Sequence, residues 1–242
     1  METGPIRRPT TGGRLVPSVA VTDDDPGGIM KLDDQQIARA ALAAAVAGTV
    51  LAPLAALSRF ATEEGKGDLE SGVVRAWAEP SADALSPLLD WASADTVYTT
   101  YGKLWAPILL VVALCAVAVR RTRMPVGAER WGWRLTLTGL VGMTVGVTGS
   151  YWTPLLDEFF AVTLLFMLIG MIGALVLGIS LLRRGFQPRG AAVLLALWLP
   201  LFFALSGLIA MGAALLPVLW AFALAGRSLT VATTSRQPAR VG

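Results

Sequence analysis

The chain has 242 residues, 55% of them apolar and only 15% charged, with 20 basic against 17 acidic side chains, one cysteine and no histidine. A mean hydropathy of +0.62 and charges gathered into short clusters exclude an ordinary soluble domain, which mixes its charges through the sequence. The missing imidazole removes the usual axial ligand of b-type haem, a frequent metal ligand and the commonest general base, so a dihaem cytochrome, a zinc membrane protease and a histidine proton relay fall away.

Residues 1–29 are rich in Pro, Gly, Thr and Ser, carry the acidic run Asp23, Asp24 and Asp25, and show no apolar periodicity. A disordered cytoplasmic N-terminus over 1–32 follows, with Met30 as an alternative start of translation. Asp33, followed three residues later by Gln36, reads as a capping box opening a first span over 33–58. Its Ala/Leu core ends in Ala56-Leu57-Ser58-Arg59-Phe60 without an Ala-x-Ala site, so it reads as an uncleaved span and not as a signal peptide.

The connection 59–95 is acidic (Glu63, Glu64, Asp68, Glu70, Glu79, Asp83, Asp90 and Asp95) and reads as external, because Lys and Arg are retained preferentially on the cytoplasmic side. Its part over 61–79, Gly- and Glu-rich, is expected to be loose. After Pro80, Leu85, Leu88, Leu89 and Ala92 recur at helical spacing, and Ser86 before Pro87 would cap a short amphipathic helix. Trp77, Leu85, Leu88, Leu89 and Trp91 are the candidate contacts with a partner or with the outer membrane surface. The alternative is that this segment folds over the outer ends of the spans.

A second span covers 96–119, where Tyr98, Tyr101 and Trp105 share one helical face at its external end. That is the position of an interfacial aromatic belt, although a ligand cage of aromatics has the same pattern. Cys115 sits inside this span and reads as inert packing. The connection 120–134 holds Arg120, Arg121, Arg123, Arg130 and Arg134 and is cytoplasmic; Trp131 and Trp133 would anchor the entrance of a third span over 135–152, and Tyr151 and Trp152 its exit.

The third span carries Gly139, Gly142, Gly146 and Gly149 on one face, including a GxxxG pair. The fourth, over 157–182, carries Gly170, Ala174 and Gly178 at four-residue spacing, so these two small-residue faces are expected to pack together. Asp157 and Glu158 open the fourth span as ordinary helix-start acids or, in a functional reading, as a gate. With Thr144, Thr148, Ser150 and Ser206 they form a possible polar cavity between helices.

A cytoplasmic connection over 183–190, with Arg183, Arg184 and Arg189, leads to residues 191–226, thirty-six in a row without an ionisable side chain. That is too long for one comfortable crossing of about 20 residues and tight for two. Arg227, Arg236 and Arg240 in the tail stay cytoplasmic only if the run folds back near 206–212, where Gly207 and Gly212 would give the backbone freedom for a reversal. Spans over 191–206 and 210–226, with a cytoplasmic tail over 227–242, result. One long tilted helix kinked at Pro200 or Pro217 is the alternative.

The fold class is therefore all-α, a polytopic membrane helical bundle, with six spans favoured over five, in a plasma or bacterial inner membrane with the N-terminus cytoplasmic. The Ala/Arg-rich, Lys-poor composition suggests a GC-rich genome. No P-loop, nucleophile elbow, metal-ligand cluster or dinucleotide fingerprint occurs, so no catalytic, metal or cofactor-binding residue is assigned, no cofactor is expected, and the protein reads as a non-enzyme. The basic clusters are explained by topology and by anionic lipid headgroups, not by nucleic acid. The leading functional expectation is an accessory or scaffolding subunit of a membrane complex, whose partners are lipids and other membrane subunits. The alternative is a small transporter or lipid-handling protein for a neutral or apolar solute.

Overall fold

The computed structural model describes residues 34–234, and every regular element among them is helical. The N-terminal segment 1–32, Asp33 with its proposed cap, the alternative start at Met30 and the tail beyond 234 lie outside the described residues. The long helices are α1 (Asp34–Phe60), α5 (Trp105–Arg121), α6 (Ala128–Trp152), α7 (Leu156–Arg183), α8 (Arg189–Leu208) and α9 (Leu216–Thr234). Between α1 and α5 run a 3-10 turn (Lys66–Glu70), α2 (Gly72–Ala84), α3 (Ser86–Leu89) and α4 (Ala94–Lys103), and a second 3-10 turn (Met211–Leu215) precedes α9.

Among the described residues, five stretches are long and apolar enough to cross a membrane: Gln35–Phe60, Ala94–Arg121, Leu156–Arg183, Arg189–Leu208 and Met211–Leu229. They indicate a membrane protein. The uncharged run 191–226 supplies two of the five, so it is not one long kinked helix. Helix α6 is not among them: its Gly, Thr and Ser residues and its aromatic end hold its hydropathy down, and Glu129, Arg130 and Arg134 lie in its first two turns.

Successive helices pack side by side, α5 on α6, α6 on α7, α7 on α8 and α8 on α9, and α9 returns against α1, which also meets α5. The seam between α1 and α9 is made of small residues: Ala41, Ala45 and Ala52 are fully buried, and a Cβ at Gly48 would meet the Leu219 side chain. Within it Trp220 Nε1 donates to Thr49 Oγ1 at 3.0 Å, and Thr49 in turn donates to the Ala45 carbonyl. Gly226 lies against Ala38 and Cys115, so the end of α9 and the start of α1 share one end of the structure. That end also holds the Arg120–Arg134 and Arg183–Arg189 connections and is called the arginine end below; the opposite, acidic end is covered by α2, α3 and α4.

Three local expectations differ from the structure. The stretch over 61–79 is not loose: α2 starts at Gly72 and runs through Pro80, burying Val74 and Ala78. Ser86 is the first residue of α3 and not its cap. The second span breaks at Leu104, where Pro107 has no N–H to return to the Lys103 carbonyl.

The reversal between α8 and α9 is also built differently. Neither Gly207 nor Gly212 has a positive φ; the chain turns through Ile209 and Ala210, both with extended φ values. Three tryptophans hold it. Trp77 Nε1 of α2 donates at 2.8 Å to the Leu208 carbonyl, one of the orphan acceptors at a helix C-terminus, and Trp198 Nε1 donates at 2.8 Å to Ala214. Trp105 packs where a Cβ on Gly212 would stand, at 3.1 Å, so a side chain there would have to push the indole back by a few tenths of an ångström.

Candidate functional site

A cavity of about 410 Å³ opens at the acidic end, enclosed by α1, α4, α5, α6, α7 and the α8–α9 reversal. Helical periodicity explains its walls. On α6 the lining residues Met143, Val147, Ser150 and Tyr151 fall at i, i+4, i+7 and i+8, and on α7 Leu156, Phe160, Thr163 and Met167 fall at i, i+4, i+7 and i+11. Leu109, Met143 and Met167 form a buried apolar floor. Leu156 and Phe160 line the cavity while being 37% and 39% exposed, and Gly207 of α8 is exposed as well, so the cavity reaches the surface between α7 and α8.

The rim toward the acidic end is polar. Arg59 Nε donates to Asp68 Oδ2 at 2.9 Å, an ion pair without net charge. Tyr98 lies beside Arg59, and its hydroxyl is 3.1 Å from that of Tyr151, the two rings meeting edge to face at 5.7 Å. The Tyr151 ring occupies the space over Gly102 that any larger residue would fill. Trp105, only 4% exposed, completes the wall. Tyr98, Trp105 and Tyr151 thus face this cavity and not the membrane interface, whereas Trp131 and Trp152, at 60% and 64% exposed, are placed as interfacial anchors would be.

Ser150 is the unusual member. It is 5% exposed, and its Oγ has no hydrogen-bond partner among the described residues. The threonines around it do otherwise: Thr144, Thr148 and Thr153 each donate to the carbonyl four residues back. Of the candidate polar cavity residues, Ser150 and Ser206 line the cavity; Thr144 and Thr148 do not, and Asp157 and Glu158 are exposed at the start of α7. Thr163, Arg59, Asp68, Tyr98 and Tyr151 were not among the candidates. Only the shared face of Tyr98 and Trp105 hinted at them, because the rim is assembled from segments far apart in sequence.

The glycine stripe of α6 rests on α7 along the whole helix: Gly139 on Gly170, Gly142 on the Phe166 ring, Gly146 on Thr163 and Gly149 on the Phe159 ring. Ala174 is fully buried, and Gly178, grouped with Gly170 by its spacing, faces Ala192 and Ala196 of α8. Of the candidate partner contacts, Trp77 and Leu85 pack against the cluster around Phe60, Leu89 is buried, and Leu88 and Trp91 are exposed.

At the arginine end a buried acid was missed. Glu129 is 1% exposed, with Oε1 2.9 Å from Arg123 Nε and Oε2 3.0 Å from Arg184 Nη1; the second contact is an ion pair without hydrogen-bond alignment. Trp133 Nε1 stands 3.4 Å from Oε1, Arg184 also donates to the Val126 carbonyl, and Arg123 lies over the Phe186 ring. Among basic residues counted only for topology, a lone Glu129 in the connection was the available signal.

No protein-family model, curated protein or solved structure matches the chain.

Proposed function

We propose that the chain is a six-span protein of a plasma or inner membrane, without catalytic chemistry, that handles a neutral, largely apolar solute taken from the surrounding lipid. The observation that carries this reading is the cavity at the acidic end: about 410 Å³, within the range of small-molecule sites, with an apolar floor, a few polar groups at the rim and an opening on the α7–α8 side. The accessory-subunit reading has less to work with, since Trp77, Leu85 and Leu89 are taken up by contacts inside the chain.

The sixth span in this proposal is α6. It runs antiparallel to α7 and touches it from Gly132, against Leu177, to Gly149, against Phe159, so a membrane crossed by α7 is crossed by α6. Its 25 residues reach about 37 Å, enough for the hydrocarbon core. With the arginine end cytoplasmic, both termini are cytoplasmic and the cavity opens toward the outer leaflet. In a Cys115→Ala background, a cysteine introduced by Asp90→Cys should react with an impermeant thiol reagent on intact cells, and one introduced by Arg236→Cys should not. Labelling of position 236 from outside defeats this topology.

The cavity reading is tested with the protein in lipid nanodiscs irradiated with a diazirine-bearing alkane. Labelled peptides should include Met143, Val147 and Met167, and Val147→Trp, which fills the cavity, should abolish that labelling while helicity is retained. Labelling confined to the outward residues Val141, Val145, Leu165 and Leu168 overturns the reading.

A further inference from the structure

We infer that the solute is an uncharged amphiphile, an apolar chain bearing one hydroxyl or carbonyl group, and that Ser150 is the residue that recognises that group. This rests on the reading of the cavity as a binding site.

Of the hydroxyl-bearing and charged side chains on the wall, Ser71 is exposed at the rim, and the others apart from Ser150 already have a partner. Thr163 donates to the Phe159 carbonyl at 2.9 Å, and Ser206 to the Phe203 carbonyl at 3.3 Å. The Tyr98 and Tyr151 hydroxyls are paired with each other, and Arg59 is paired with Asp68. Ser150 Oγ is left with a free proton and free acceptor sites, on the same α6 face as Met143 and Val147; the oxygen itself is covered, so a ligand reaches it through a change of the serine rotamer. A hydroxyl buried without a partner carries a desolvation penalty, which a ligand hydroxyl or carbonyl at that spot removes.

Charge argues for the same class. Among the described residues the ionised groups on the wall, Arg59 and Asp68, neutralise each other, so a carboxylate, phosphate or ammonium would be desolvated beside an ion pair with no net charge to offset it. An anion could recruit Arg59 only by separating it from Asp68. An uncharged group needs neither step. The chain of such a ligand would extend from Ser150 over Val147 to Met143 and Met167, while Phe160 and Leu156 border its route in from the lipid.

The test uses the alkane photoprobe in nanodiscs and measures its displacement from the Met143 and Met167 peptides by dodecanol, dodecanoate or dodecane, compared at equal mole fraction in the bilayer. Dodecanol should displace the probe about ten-fold more effectively than either of the others, the worth of one hydrogen bond. In Ser150→Ala the advantage of dodecanol over dodecane should vanish, with dodecane itself unchanged. Because that substitution removes only an unpartnered hydroxyl, the variant should unfold no more readily than the parent. If dodecanol gains nothing over dodecane, if dodecanoate matches it, or if Ser150→Ala leaves its advantage in place, the inference is overturned while the cavity reading stands. If the probe never labels the cavity peptides, the cavity reading itself has failed.

Discussion

Replacing Arg123 and Arg184 together by Ala should destabilise the protein by about 3–5 kcal/mol, the loss typical when a buried charge is stripped of its partners. Glu129 is 1% exposed, and among the described residues Arg123 and Arg184 are the cations paired with its carboxyl, so the double variant leaves that group buried without either of them. Removing the acid instead is milder. In Glu129→Gln the two arginines keep 26% and 41% of their side-chain surface exposed and can turn to water and headgroups, so the loss should be about 1 kcal/mol. The ordering, double arginine variant far below Glu129→Gln, is read from equilibrium unfolding in mixed micelles followed by tryptophan fluorescence. Equal losses in the two variants would mean that burial of Glu129 does not govern this end of the structure.

The second large effect falls on α6 against α7, and it is asymmetric. A Cβ on Gly139 would fall onto the Gly170 backbone, 2.6 Å from its nitrogen, and 2.8 Å from the Phe166 carbonyl oxygen. No side chain can move aside there, so the helices must separate. In lipid their association depends on close packing, not on apolar burial from water, and Gly139→Ala should cost about 3 kcal/mol. Gly170→Ala is nearly free, because its Cβ would find Gly139 and Trp198 at ordinary distances of about 3.4 Å. Gly142→Ala displaces only the Phe166 ring, which is half-buried and can swing outward toward lipid. The same unfolding measurement separates the three. A GxxxG motif read from spacing would put Gly142 first; a loss at Gly142 exceeding that at Gly139 would favour the spacing over the geometry.

Helix positions were legible because charge and apolarity are segregated along this chain. The start of α7 lies one residue before its expected position at Asp157, and α8 ends two residues beyond Ser206. The start of α6 was less visible: it reaches back to Ala128, into a connection that reads as a loop by its arginines, because Glu129 and Trp133 bury themselves against the neighbouring segments. Likewise the Gly- and Glu-rich stretch before Pro80 looks unstructured one residue at a time, and becomes helical through the contacts of Val74 and Ala78 with Leu57 and Phe60. Of the site, Ser150 and Ser206 could be listed from their polarity in an apolar setting, but nothing local distinguished them from Thr144 and Thr148.

Composition and charge order alone determined that this is an all-helical membrane protein, that the run 191–226 is too long for one span, and that imidazole chemistry is absent. These depend only on how much apolar length and which side chains the chain carries, and a bilayer reads such properties segment by segment. Which hydroxyl stays unpartnered, which glycine meets backbone and which acid is buried were decided only by the tertiary structure. Each of those is a matter of what stands opposite, and the groups opposite come from helices far apart in sequence: Ser150 shares its cavity with Arg59 and Ser206, and Glu129 shares its charge with Arg184.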